Sequence, residues 1–80
     1  MITNTWILLT AFFLPNDQYE YYSTPFPNKE QCVQMARQTW RNYYSNPREC
    51  VTGVETICRN RKNHYDFVRI ECDKYGICKL

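Results

Sequence analysis

The chain has 80 residues, of which ten are Lys or Arg and eight are Asp or Glu, giving a net charge of +2. This length predicts one domain over residues 1–80 and leaves no room for a second. Hydrophobic residues are 44% and charged residues 22%, which is typical of a globular chain and excludes a disordered one. The near balance of charges disfavours nucleic acid as a partner, and the two glycines exclude a glycine-rich phosphate loop.

Residues 6–14 form an apolar run that is rich in aromatic and branched side chains, which predicts a buried β-strand. The run is far shorter than the roughly 20 residues that span a bilayer, so no membrane partner is expected. A secretion signal is the alternative. It is disfavoured because no Lys or Arg precedes Lys29 and no small-residue cleavage site follows the run. This interpretation places the protein in a cytosol.

A turn cluster at residues 15–18 and an aromatic run at residues 19–23 predict a second strand that pairs antiparallel with the first. Pro25 is expected to end this strand, because proline cannot donate to a sheet ladder. A helix is then predicted from an N-cap at Asn28 to Asn46, which precedes a proline. Its predicted buried stripe consists of Cys32, Met35, Ala36, Thr39, Trp40 and Tyr43.

The C-terminal half predicts further strands. Residues 50–58 are β-branched and favour a strand, with a short helix from Val54 as the alternative. Residues 65–72 alternate, with Val68, Ile70 and Cys72 on one face and Phe67, Arg69 and Glu71 on the other. Residues 77–80 predict a last short strand. The expected fold class is α+β: a small antiparallel sheet in the order β-β-α-β-β, with an optional fifth strand and one helix packed on a face.

The five cysteines allow several interpretations; they are Cys32, Cys50, Cys58, Cys72 and Cys78. Reduced, buried thiols suit a cytosolic protein and are the first expectation. Disulfides are the alternative. In that case Cys72 and Cys78 face each other across a turn, Cys32 reaches Cys50 or Cys58, and one thiol stays free. No C-x2-C pair occurs and His64 is the only histidine, so no metal site and no cofactor are expected.

The sequence shows no catalytic set. Nucleophilic catalysis requires a thiol or hydroxyl beside a base that a third group holds in place. His64 is the only imidazole, and nothing in the spacing selects a cysteine and a carboxylate to accompany it. We therefore expect no catalytic residue and no enzymatic activity.

The first strand is apolar on both sides, and one helix covers only one face of a sheet. A partner protein or a second copy of the chain is therefore expected on the other face. The alternative is that residues 24–28 and the C-terminal tail fold over it. The expected contact residues are the tyrosines of the second strand and the cations of a basic turn: Tyr19, Tyr21, Tyr22, Arg59, Arg61 and Lys62. Nucleic-acid binding through this turn is a further alternative.

Residues 6–50 resemble a group of short uncharacterised proteins encoded by tailed bacteriophages, including marine phages and cyanophages. The shared features are a W-I-L-L strand, an aromatic strand, a helix start of the N-K-E-x-C type at residues 28–32 and a later strand with a cysteine, here Cys50. The resemblance carries over no functional residue. It implies a viral accessory factor that binds and inhibits a host protein during host takeover, in the host bacterial cytoplasm. A structural virion component, such as a capsid decoration or tail-associated protein, is the alternative.

Overall fold

The computed structural model describes residues 4–79, which form one helix and five strands. In chain order these are β1 (Trp6–Phe13), β2 (Tyr19–Phe26), α1 (Lys29–Ser45), β3 (Gly53–Asn60), β4 (Phe67–Cys72) and β5 (Cys78–Lys79). All strand pairs are antiparallel, in the order β2-β1-β3-β4-β5. The predicted α+β class is confirmed. No helix within residues 4–79 is long and apolar enough to cross a membrane.

Helix α1 begins where its cap predicts. The Asn28 side chain accepts a hydrogen bond from the Gln31 backbone N–H at 2.9 Å, and the Asn46 N–H closes the last turn on Asn42. The buried helix residues follow a four-residue spacing: Cys32, Ala36 and Trp40. The prediction was wrong for Met35, which is exposed, whereas Val33 packs against the core. At about 100° per residue, Val33 lies nearer than Met35 to the centre of that stripe.

One hydrogen-bonded cluster joins the helix to the middle of the sheet. The Trp40 indole N–H lies 2.9 Å from the Thr56 hydroxyl oxygen and 3.1 Å from the Ile70 carbonyl oxygen. The Thr56 hydroxyl in turn donates to the Ile70 carbonyl at 2.7 Å. All three residues are buried, so each polar atom in the cluster has a partner away from water. The core around them consists of Trp6, Leu8, Cys32, Ala36, Val54, Cys58 and Cys72.

Strand β2 is longer than predicted, because it continues through Pro25 to Phe26. Strand β2 lies at the edge of the sheet. Pro25 is tolerated there because an edge residue whose backbone faces outward has no strand neighbour to which its N–H would donate. The hairpin before it turns through Asn16 and Asp17, which have φ values of 66° and 60°. Asn and Asp are among the residues that best tolerate this left-handed conformation.

Strands β3 and β4 begin later than predicted. The Val51 N–H donates to the Arg48 carbonyl in a turn, and β3 starts only at Gly53, so the predicted start at Cys50 was wrong. The alternative of a helix from Val54 was also wrong, because β3 runs straight on to Asn60. A turn occupies residues 61–66, and β4 starts at Phe67. The predicted alternation along β4 is observed. Leu80, at the end of the predicted last strand, lies outside the described residues.

Four of the five cysteines form disulfides, so the expectation of reduced buried thiols was wrong. Cys32 of α1 bonds to Cys58 of β3, with their Cα atoms 6.0 Å apart, and ties the helix to the sheet. Cys72 bonds to Cys78, its register partner on β5. Cys50 is free and exposed. The Cys72–Cys78 bond follows from the register of β4 and β5, whereas the Cys32–Cys58 bond depends on the packing of α1 over β3.

Candidate protein-interaction face

The side of the sheet opposite α1 is uncovered within residues 4–79, and we refer to it as the open face. Side chains alternate along each strand, so the odd-numbered residues point to this side. They are Ile7, Leu9, Ala11 and Phe13 of β1, Tyr19, Tyr21, Ser23 and Pro25 of β2, Gly53, Glu55, Ile57 and Arg59 of β3, and Phe67, Arg69 and Glu71 of β4. The alternative that residues 24–28 and the C-terminal tail fold over this face was wrong, because residues 24–26 continue β2, residues 27–28 lead into α1 and residues 78–79 extend the sheet.

The half of the open face formed by β1 and β2 is apolar and aromatic. The rings of Tyr19 and Tyr21 are 62% and 57% exposed, and each lies beside a β1 residue, Phe13 and Ala11 respectively. This half carries no formal charge, because the remaining members are aliphatic, Ser or Pro. Large exposed aromatic groups over an apolar floor are typical of the centre of a protein interface.

The half formed by β3 and β4 is charged at its rim. Glu55 and Arg69 form an ion pair with 3.4 Å between oxygen and nitrogen. Arg59 lies opposite Phe67 in the register, and its buried Nε atom has no hydrogen-bond partner among the described residues. Phe67 itself is 59% exposed. Polar groups therefore border the apolar half, as they do around the core of protein interfaces.

The predicted tyrosine cluster divides between two sides of the sheet. Tyr19 and Tyr21 lie on the open face, whereas Tyr22 points to the helix side and packs edge-on against Phe12, with 5.9 Å between ring centroids. The division follows from the alternation of strand side chains. Only two of the three tyrosines therefore belong to the candidate face.

The predicted basic turn does not join the tyrosines in one patch. Arg59 aligns with Ile7 and Tyr19 aligns with Phe13, so the two groups lie at opposite ends of β1. The Arg61 guanidinium donates to the Asn4 carbonyl at 3.3 Å. The exposed Lys62 follows in the turn, where its backbone N–H is held by the Asn60 side chain. The prediction did not include Phe67, although its place in the alternating run of residues 65–72 puts it on the open face.

A separate cavity of about 230 Å³ lies on the helix side, between β1 and the end of α1. It is lined by Phe12, Thr39, Asn42, Tyr43, Asn46, Arg48 and Val51, with no cysteine, histidine or carboxylate among them. Arg48 contacts the Phe12 ring and pairs with Glu20 at 2.8 Å. The hydrogen bond from Arg48 lowers the pKa of the Glu20 carboxyl below its ordinary value of 4.5. This lining offers the hydroxyl groups of Thr39 and Tyr43, with no histidine or carboxylate among its residues to act as their base.

We found no match for this chain among protein-family models, curated proteins or solved structures. The fold defines a small α+β protein with two disulfides, and the open face is its candidate site.

Proposed function

We propose that this protein is a non-enzymatic interaction factor that binds a partner protein through the open face. One observation carries the proposal. Strand β1 is apolar on both sides, yet α1 covers only the side of Trp6, Leu8 and Thr10. On the opposite side, the uncharged half of the open face leaves the rings of Tyr19, Tyr21 and Phe13 exposed to water. A protein that covered this surface would remove apolar area from water, which is the main driving force of association.

The composition of the open face favours a protein as the partner. Tyr19 and Tyr21 combine a large apolar ring with a hydroxyl group, and tyrosine is enriched among the residues that dominate binding energy. The cations of the chain are spread over several elements, and Arg59, Arg61 and Lys62 lie away from the tyrosine end. Nucleic acids require a concentrated basic surface, so this distribution disfavours them.

The phage resemblance of residues 6–50 supports a more specific form of the proposal. In this form the protein is phage-encoded, acts in the host bacterial cytoplasm and inhibits the host protein that it binds. Its small size and exposed aromatic surface suit a factor that blocks a partner by covering a functional surface. Neither a cofactor nor a reaction is required for that role.

A structural virion component is the second candidate, and the disulfides favour it. The bonds Cys32–Cys58 and Cys72–Cys78 persist best outside a reducing cytosol, for example on a virion surface. In this form the open face binds a capsid or tail protein instead of a host protein. The two candidates share the binding surface and differ in the compartment where the protein acts.

Replacing Tyr19 and Tyr21 together by serine is expected to reduce capture of the partner by about tenfold or more, because two interface tyrosines are removed. The chain is immobilised and exposed to a lysate of infected host cells and, separately, to disrupted phage particles. Tyr65→Ser is the matched control, because Tyr65 is 94% exposed but lies in the turn between β3 and β4. Equal capture by the double variant and the control, or no capture by the unmodified chain, would contradict the proposal.

A further inference from the structure

Strand β2 forms an outer edge of the sheet, and half of its backbone groups face away from β1. The Leu14 N–H donates to the Gln18 carbonyl at 2.8 Å, so these two residues form a hydrogen-bonded pair. Hydrogen-bonded and non-hydrogen-bonded pairs alternate along an antiparallel ladder, so this bond shows which residues of β2 bond to β1. The even-numbered residues of β2 therefore exchange hydrogen bonds with β1. The odd-numbered residues direct their N–H and C=O groups outward: Tyr19, Tyr21, Ser23 and Pro25. Pro25, which has no N–H to donate, is among these outward-facing residues, so its missing N–H costs no hydrogen bond to β1.

This edge carries few of the devices that normally keep sheet edges apart. Protective edges carry lysines, prolines, inward-pointing charges or short strands, and of these β2 has only Pro25, next to its last residue. The opposite edge of the sheet is protected in these ways. The two-residue strand β5 pairs with the end of β4, and the part of β4 that β5 leaves unpaired carries the charged residue Arg69. Strand β2 is eight residues long, and its one charged residue, Glu20, is paired with Arg48.

We propose that the β2 edges of two copies of this chain pair antiparallel about a two-fold axis at Tyr22, which joins two five-stranded sheets into one. In this register Tyr21 exchanges both hydrogen bonds with Ser23 of the partner subunit. The Tyr19 N–H donates to the carbonyl of the partner's Pro25. The three outward N–H groups of each copy thus all find acceptors, and the missing N–H of Pro25 leaves no donor unpaired.

The side chains also favour a second copy as the occupant of this edge. Isologous pairing requires a surface that complements itself, and no like charges meet in this register. Glu20 lies opposite the partner's Thr24, and Tyr19 lies beside the partner's Pro25. Tyr22 faces its own symmetry mate, and aromatic cross-strand pairs stabilise antiparallel ladders. The four rings of Tyr19 and Tyr21 then lie on one side of the joined sheet, where the two open faces become continuous.

Ser23→Pro tests the edge directly, with Ser23→Ala as its matched control. Proline at this position removes an outward N–H and no bond to β1, so the fold is expected to persist. Each dimer loses two hydrogen bonds, which weakens association by about thirtyfold. Sedimentation over a dilution series is expected to show a monomer–dimer equilibrium for the unmodified chain and Ser23→Ala, shifted to monomer for Ser23→Pro. A monomer at every concentration, or equal association of both variants, would overturn the proposal.

Cysteine cross-linking tests the register without relying on proline. In a Cys50→Ser background, Tyr22→Cys places two thiols in directly opposed, closely spaced positions, and oxidation is expected to yield a covalent dimer. Thr24→Cys is the control. In this register the two copies of residue 24 are offset by four residues along the paired strands, which separates the two thiols by roughly 13 Å, beyond disulfide reach. Equal dimer yields from both variants would overturn the register. Capture of the partner protein on the open face is a separate readout, so this inference and the proposed function can fail independently.

Discussion

Replacing Trp40 by alanine is expected to lower the free energy of unfolding by about 3–5 kcal/mol, the usual range for deleting a buried tryptophan side chain. Trp40 is the largest helix residue in the core, and its ring packs near Tyr43 and Tyr44 at centroid distances of 6.0 Å. Its loss also leaves the Thr56 hydroxyl oxygen without a donor at the centre of the sheet. Because a domain of this size has only about 5–15 kcal/mol of stability, the variant should be close to unfolding.

Chemical denaturation followed by circular dichroism measures this effect without depending on tryptophan fluorescence. Thr56→Val separates the hydrogen bonds from the packing, because it keeps the shape and removes the hydroxyl group. We expect it to cost about 1–3 kcal/mol, less than Trp40→Ala. Tyr65→Ala is the surface control, with a change within about 0.5 kcal/mol. A Trp40→Ala variant as stable as Tyr65→Ala would contradict the described core.

Removing the Cys32–Cys58 disulfide is expected to cost about 3.5 kcal/mol, and removing Cys72–Cys78 about 2 kcal/mol. The difference follows from loop length, because the two bonds close segments with sequence separations of 26 and 6 residues. A longer closed loop removes more conformational entropy from the unfolded chain. The double variants Cys32→Ala with Cys58→Ala, and Cys72→Ala with Cys78→Ala, provide the matched comparison in denaturation experiments.

The pairing itself is checked by alkylating the denatured protein without reductant and mapping the labelled peptide. One label, on Cys50, is expected. Labels on Cys32 and Cys58 would mean that the helix is not tied to the sheet. Equal destabilisation by the two double variants would contradict the loop-length argument.

Local features of the fold could be predicted because they depend on neighbours in the chain. The start of α1 follows from the Asn28 cap, and the two faces of β4 follow from strict alternation. The apolar character of both sides of β1 indicated that one helix would leave a face uncovered. These signals involve spacings of two to four residues, which the local backbone geometry sets.

Features that depend on distant parts of the chain could not be predicted in this way. The order β2-β1-β3-β4-β5 brings β3 beside β1, and the Cys32–Cys58 bond exists because α1 crosses that strand. Pro25 ends a strand only where its missing N–H would face a neighbour, and at this edge it does not. The separation of Arg59 from Tyr19 likewise appears only once the register is known.

Site-specific photo-cross-linking tests the central claim, that the open face binds a partner protein, most directly. A photoreactive phenylalanine analogue replaces Tyr21 in one variant and Tyr65 in another, and each is expressed and irradiated in infected host cells, the setting that the proposed function implies. Both positions are exposed, and Tyr65 is the more exposed of the two, so an adduct found only at position 21 reflects the open face and not greater access. The account predicts an adduct with a different protein from position 21, beside any adduct with a second copy across the β2 edge, and no adduct with a different protein from position 65. The same adducts from both positions, or no adduct with a different protein from position 21, would contradict it.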